Sequence, residues 1–346
     1  MARLFKIDQS IELHFMKKYQ IYGVGAALVD TEIEVSDAFL EQANIEKGLM
    51  TLVDEARQQE LIALLADHMV ASKRASGGSA ANTIIGASYF GAKAYYSCKV
   101  ANDENGDFYL QDIKDAGVDV DSGSVKPKGI TGKCLVLITP DAERSMNTFL
   151  GISETLSVDQ LDLDALASSE YVYIEGYLVT SPTGKAAAIS ARKHAEANGV
   201  KTAISLSDPG MVEFFGDGLQ EMVGDKVDLL FSNEDEALGW TKTDTIEDAA
   251  EKMKASANTF AITLGSKGAL VFDGQTMHTI SPHVVKAIDT NGAGDMFAGA
   301  FLYAITNGFD FSMAGKLACR SAAELVTRFG PRLPAATHGE LKAEVL

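Results

Sequence analysis

The chain has 346 residues, 46% of them hydrophobic, with 30 Lys and Arg against 48 Asp and Glu, a formal net charge of −18. That length can bury a large core, as one α/β domain with an appendage or as two domains. The charge argues against a nucleic-acid partner and against an anionic membrane surface, both of which need clustered cations, but it leaves a nucleotide open, because backbone amides and one or two cations hold one locally.

In chain order, residues 1–15 (MARLFKIDQSIELHF) are amphipathic and interrupted by charge, so they do not read as a secretory signal. They are expected to be an extension outside the fold, with one domain over 16–346. Short apolar runs at 21–29, 94–100, 171–174, 201–206, 228–231 and 260–264 read as strands. Helical patterns lie between most of them, including 83–90 after Gly77-Gly78 and 106–116 before Gly117. This alternation implies βαβ units and a parallel sheet covered on both faces. Residues 31–51 and 126–150 break the pattern with short alternating runs and no crossover helix of their own. They are expected to pair as a small sheet over the C-terminal edge of the main one, where open α/β folds bind ligands. No apolar run approaches a membrane span. Cys98, Cys134 and Cys319 fit neither a disulfide framework nor a zinc site, which points to a reducing, cytoplasmic setting.

The most specific stretch is Asp289-Thr290-Asn291-Gly292-Ala293-Gly294-Asp295, followed by the apolar run MFAGAFLYAI. A glycine turn feeding a helix aims free N–H groups at one point, where the helix dipole adds positive character. Asp295 beside such an anion site sets a base next to a phosphate, a pairing suited to phosphoryl transfer. The alternative is a strand-to-helix turn whose Asp merely caps it. Asn233 and Glu236 have the spacing of a capping box. No Gly-Xaa-Gly-Xaa-Xaa-Gly follows the first strand, which argues against a Rossmann dehydrogenase.

The 289–295 motif resembles the C-terminal signature of the ribokinase-like (PfkB-type) carbohydrate and nucleoside kinases, and residues 19–334 follow that family's order of elements. Asn291, Arg144-Ser145, the run Tyr173-Ile174-Glu175-Gly176-Tyr177 and the strand at 227–233 are most similar to its adenosine-kinase branch. The resemblance implies a ribokinase-like three-layer αβα sandwich whose small sheet, from about 31–51 and 126–150, serves as a lid. It implies that the amides of Gly292, Ala293 and Gly294 stabilise phosphate charge, that Asp295 deprotonates the acceptor hydroxyl, and that Arg144 holds the transferring phosphate. Asp30, Gly77, Gly78, Ser79, Asn82, Asn291 and Tyr177 would bind substrate, with the Asp30 carboxylate on sugar hydroxyls and the Tyr177 ring against a purine. Asn233, Thr263, Gly265 and Gly268 would meet ATP, and Glu236 would organise Mg²⁺ through water. A monovalent cation such as K⁺ near Asp289 and the Gly330 loop is implied in the same way, as is a monomer or a homodimer.

Three places depart from the branch. Ala26 stands where adenosine kinases usually carry Asn, an apolar base contact of the animal enzymes is missing around Ser207-Asp208-Pro209-Gly210, and Glu175 adds a carboxylate near the base pocket that could accept hydrogen bonds from guanine. The expected activity is therefore ATP-dependent phosphorylation of a nucleoside 5'-hydroxymethyl, adenosine first, with inosine, guanosine or a free sugar as alternatives. The position of Asp295 at a helix N-terminus is expected to favour its ionised form.

Overall fold

The computed structural model describes residues 17–66, 73–121, 123–141 and 143–346; the expectation for residues 1–15 lies outside them. Seven parallel strands, Tyr19–Val24, Ala94–Ser97, Asp119–Val120, Ser169–Glu175, Lys201–Ser205, Val227–Asn233 and Ala257–Thr263, form most of a nine-stranded sheet. Ala269–Phe272 and Met277–Ile280 close one edge antiparallel. Alternation along each strand divides the core in two. Ile21, Tyr173 and Phe231 pack on one face, under the helices Ser79–Phe90, Ala293–Thr306 and Phe311–Leu325. Tyr22, Val172, Ile174 and Leu230 pack on the other, against Pro182–Ala197 and Pro209–Val223. Strands buried on both faces read as near-continuous apolar runs, which is why they stood out in the sequence.

The run at 21–29 is not one strand. Tyr19–Val24 ends in the main sheet and Leu28–Glu34 begins a second, five-stranded sheet, with Gly25, Ala26 and Ala27 as the crossing. A Cβ on Gly25 would lie 2.6 Å from the Glu175 carboxylate and 2.7 Å from Ala80, so the chain passes too close for any side chain. The second sheet also holds Met50–Leu52, Lys73–Gly77, Gly132–Ile138 and Arg144–Phe149. Contrary to expectation, 31–51 does carry a helix, Asp37–Gln42, whose Leu40 packs with Ile33, Leu61 and Leu137 on one side of this sheet. Among the described residues no helix is long and apolar enough to cross a membrane.

Candidate active site

A cleft of about 550 Å³ is lined both by the C-terminal ends of the main-sheet strands and by residues of the second sheet. Of the residues the sequence singled out for the site, all but Gly77 line it. Gly77 acts one step away, because a Cβ there would sit 2.0 Å from the Asp30 carboxyl carbon; its lack of a side chain makes room for that carboxylate.

Gly292, at φ 74°, turns the chain into the helix Ala293–Thr306, and a Cβ on it would strike the Pro331 carbonyl at 2.6 Å. First-turn amides have no carbonyl one turn back, so they are available to an anion. The amide of Ala293 is the partial exception, closing on the Thr290 carbonyl at 3.3 Å. That leaves the amides of Gly292 and Gly294 as the freer donors of the turn.

Asp295 follows directly. Its Oδ1 accepts from the Ser79 hydroxyl at 2.7 Å and its Oδ2 from Asn82 Nδ2 at 3.2 Å. Ser79 is free to do this because the helix Ser79–Phe90 is capped by Gly78, at φ 98°, and not by the serine. Two residues expected to touch substrate thus also orient the Asp295 carboxylate. Burial raises the Asp295 carboxyl to about 6, against the bonds from Ser79 and Asn82 and the charge of Arg144. Desolvation is the largest contribution, yet a carboxyl near 6 remains mostly ionised at neutral pH. The sign sets a testable pH dependence. A carboxyl titrating near 6 is protonated below that pH and cannot accept a proton, so kcat/KM should fall about tenfold per unit below pH 6. A rate that stays level down to pH 5 would remove Asp295 as the titrating base.

Asp30 is buried near the start of Leu28–Glu34 and is pushed up to about 8, first by desolvation and then by Glu32, with Arg332 pulling the other way. Arg144 opens the strand Arg144–Phe149 and reaches from the second sheet to the motif, its Nη1 donating to the Thr290 carbonyl at 3.2 Å and hydroxyl at 3.0 Å. The capping box is formed: Asn233 Oδ1 accepts from the Glu236 amide at 2.7 Å, while Glu236 accepts from the Asn233 amide at 3.1 Å and side-chain amide at 2.7 Å. Glu236 is buried at the cleft wall and raised to about 8 by desolvation. A nearby cation would stabilise its ionised form, and with both oxygens engaged it suits an ion held through water. Asp289 accepts from the amides of Asn291 at 2.8 Å and Gly330 at 2.9 Å, fixing the motif against the 330 loop.

Glu175 is bonded at both oxygens. Its Oε1 accepts from the Ala26 amide at 2.7 Å and its Oε2 from the Ala80 amide at 2.7 Å, with 1% of the residue exposed. The carboxylate staples the strand crossing to the helix that carries Ser79 and Asn82. Each oxygen already holds a backbone amide, which gives Glu175 a structural role beside its place in the cleft lining.

The sequence reading missed two walls. At one end Leu28, Met50, Leu52, Met146 and Leu150 make an apolar surface beside Asp30. Val284, Val285 and Ala287 line the cleft from the segment before the motif, as do Ala322, Ala323 and Val326 from the helix Phe311–Leu325 and its end. Val284 is 94% exposed, in a segment between the last strand and the motif with no regular structure. Apolar residues there, immediately before the signature, were the available signal. Among the described residues, four buried side-chain atoms along the cleft have no hydrogen-bond partner: Asn82 Oδ1, Arg144 Nε, Ser232 Oγ and Asn291 Nδ2. Buried polar groups left open in this way mark a surface made for a polar ligand.

The chain matches the pfkB family carbohydrate kinase profile over residues 56–338. The crystal structure of a "probable sugar kinase protein" from Rhizobium etli is 34% identical with a TM-score of 0.88, over 96% of this chain and 100% of that one. The adenosine kinase from Sinorhizobium meliloti is 33% identical, also with a TM-score of 0.88, over 94% and 99% of the two chains. An adenosine kinase of Saccharomyces cerevisiae is 28% identical over 90% of this chain and 96% of its own length. A carboxylate beside helix-end amides suits phosphoryl transfer to an alcohol, and the fold that presents them is ribokinase-like. The chain belongs to the pfkB family of carbohydrate and nucleoside kinases and is an ATP-dependent phosphotransferase.

Proposed function

We propose that the protein transfers the γ-phosphoryl group of ATP to the 5'-hydroxymethyl of a nucleoside, with adenosine the leading acceptor. The observation that carries this reading is the join of Asp295, held by Ser79 and Asn82, to an acceptor end walled by Leu28, Met50, Leu52, Met146 and Leu150 with Tyr177. A free sugar has little apolar surface to bury there, whereas a purine gains roughly 25 cal/mol for each Å² removed from water. Asp30 takes the sugar hydroxyls, and Tyr177 offers a ring for stacking.

In this reading Asp295, ionised above about pH 6, accepts the hydroxyl proton as the oxygen attacks in line. The transition state is loose, so proton loss need not come early and a modest base suffices. The amides of Gly292 and Gly294, with the Arg144 guanidinium, hold the charge on the transferring group. Mg²⁺, bound on the phosphate chain and steadied through water by Glu236, would neutralise charge there. Asn233, Thr263, Gly265 and Gly268 line the ATP end, and the apolar wall at 284–287 suits the donor's base. The second sheet acts as a lid that keeps water from the phosphoryl group.

The second reading is a sugar kinase, favoured by the name carried by the Rhizobium etli neighbour. An ADP-release assay with MgATP against adenosine, inosine, guanosine, ribose and fructose separates the two. Turnover with adenosine at kcat/KM at least about 100-fold above ribose is expected, since losing a buried purine forfeits several kcal/mol of acceptor binding. Turnover with a sugar alone would overturn the nucleoside assignment.

A further inference from the structure

The chain crosses between the two sheets twice near the cleft. Gly25, Ala26 and Ala27 carry it from Tyr19–Val24 to the strand that bears Asp30. Gly78 brings it back from Lys73–Gly77 to the helix that bears Ser79 and Asn82. The crossings touch, since a Cβ on Gly78 would come 2.5 Å from the Ala26 carbonyl oxygen. Glu175, the last residue of Ser169–Glu175, joins the first crossing to the helix that follows the second. Its Oε1 accepts from the Ala26 amide and its Oε2 from the Ala80 amide, both at 2.7 Å.

Both amides depend on this carboxylate. Ala80 is in the first turn of Ser79–Phe90, where an N–H has no carbonyl one turn back, and that helix has no side-chain cap at Gly78. Ala26 stands between Val24, the last paired residue of one sheet, and Leu28, the first of the other. A carboxylate accepts at both of its ends, which suits it to two backbone donors at once. The surroundings fix the same parts: the Tyr96 hydroxyl donates to the Ala26 carbonyl and the Tyr109 hydroxyl to the Gly77 carbonyl, each at 3.0 Å.

Each end of the clamp leads to the chemistry. Beside Ala80, Ser79 and Asn82 donate to the two oxygens of Asp295 at 2.7 and 3.2 Å. Beyond Ala26, the strand Leu28–Glu34 carries Asp30 into the cleft. We propose that Glu175 is a positioning residue for phosphoryl transfer: it holds the acceptor strand in register with the helix that orients Asp295. The inference rests on the reading that Asp295 takes the acceptor's proton. A misplacement of about 1 Å at reacting groups costs about 100-fold in rate, so the effect belongs in kcat and not in affinity.

The experiment is a double-mutant cycle read in kcat, in the KM of adenosine and of ATP, and in melting temperature. Glu175→Gln keeps the length of the side chain, but its NH₂ cannot accept from an amide, so one of the two links is lost. It should lower kcat by about 10- to 100-fold, with both KM values within about threefold of wild type. In a background of Ser79→Ala with Asn82→Ala, where the route to Asp295 is already cut, the same change should lower kcat by less than about threefold. A clamp that only stabilised the fold would lower the melting temperature in both backgrounds without this difference in kcat. An unchanged kcat in Glu175→Gln, or an equal loss in both backgrounds, overturns the proposal. So does a loss confined to the KM of adenosine, which would make Glu175 a reader of the acceptor. If Glu175→Gln does not fold, Gly25→Ala decides by the same criteria, because its Cβ would press on the Glu175 carboxylate at 2.6 Å while leaving the charge in place. Asp295→Asn separates the two layers. A kcat near wild type there refutes the base reading itself, whereas a collapsed kcat there with an unchanged one in Glu175→Gln refutes only the role of Glu175.

Discussion

Asp295→Asn should lose between about 100- and 10,000-fold in kcat, the usual range for removing a positioned general base, while still binding ATP and adenosine. The fold should survive the change because the surroundings can re-pair. Ser79 can go on donating to the remaining carbonyl oxygen. Asn82, whose Oδ1 has no partner, can rotate its amide to present that oxygen to the new NH₂. Binding isothermal to the wild type, a melting temperature within a few degrees of it and a collapsed kcat would together locate the defect in the chemical step. The pH profile gives an independent reading of the same residue. The limb near pH 6 should vanish from whatever activity remains, because the group that titrates there is gone. A variant retaining kcat within about tenfold of wild type would mean that proton removal by Asp295 is not what the site is built for.

What the sequence made legible was local. Asp289 to Asp295 carries its turn, its helix start and its carboxylate in seven consecutive residues, so spacing alone places them together. The Asn233–Glu236 capping box is equally contained, and both of its reciprocal bonds form. What escaped depends on contacts between distant residues. In the apolar run at 21–29 Gly23 and Gly25 are the only local hint of a break; what fixes it is Glu175, 149 residues beyond Ala26, which takes the Ala26 amide and leaves no room for a side chain at Gly25. The strand Lys73–Gly77 has no alternating apolar pattern; it exists because Leu28–Glu34 offers it an edge and Gly77 gives space to Asp30. The upward shift of Asp295 was out of reach for the same reason. Its helix position is visible in the sequence, whereas desolvation is a property of the assembled cleft.

The glycines of the motif divide by what each one must avoid, and that division yields the sharpest pair of expected results. Gly292 sits at φ 74° with Pro331 2.6 Å from where its Cβ would be, so Gly292→Ala is penalised by the protein itself. It should lower stability by about 1–3 kcal/mol, from left-handed strain plus the clash, with activity falling alongside. Gly294 is different. It is exposed in the helix's first turn, nothing lies within 4 Å of its would-be Cβ, and it lines the cleft. For the folded protein alone, alanine there is an improvement, worth up to about 1 kcal/mol because it restricts the unfolded chain. If the Gly294 amide approaches a phosphate, however, the added methyl occupies the space the anion needs. Losing one such donor typically costs about 100- to 1000-fold in rate. Gly294→Ala should therefore melt at or above the wild-type temperature and turn over at least about 100-fold more slowly, with the deficit in both kcat and ATP KM. Stability and activity moving in opposite directions is the mark of a residue kept small for a ligand. Wild-type turnover in Gly294→Ala would place the phosphates elsewhere and return the motif to an ordinary glycine turn.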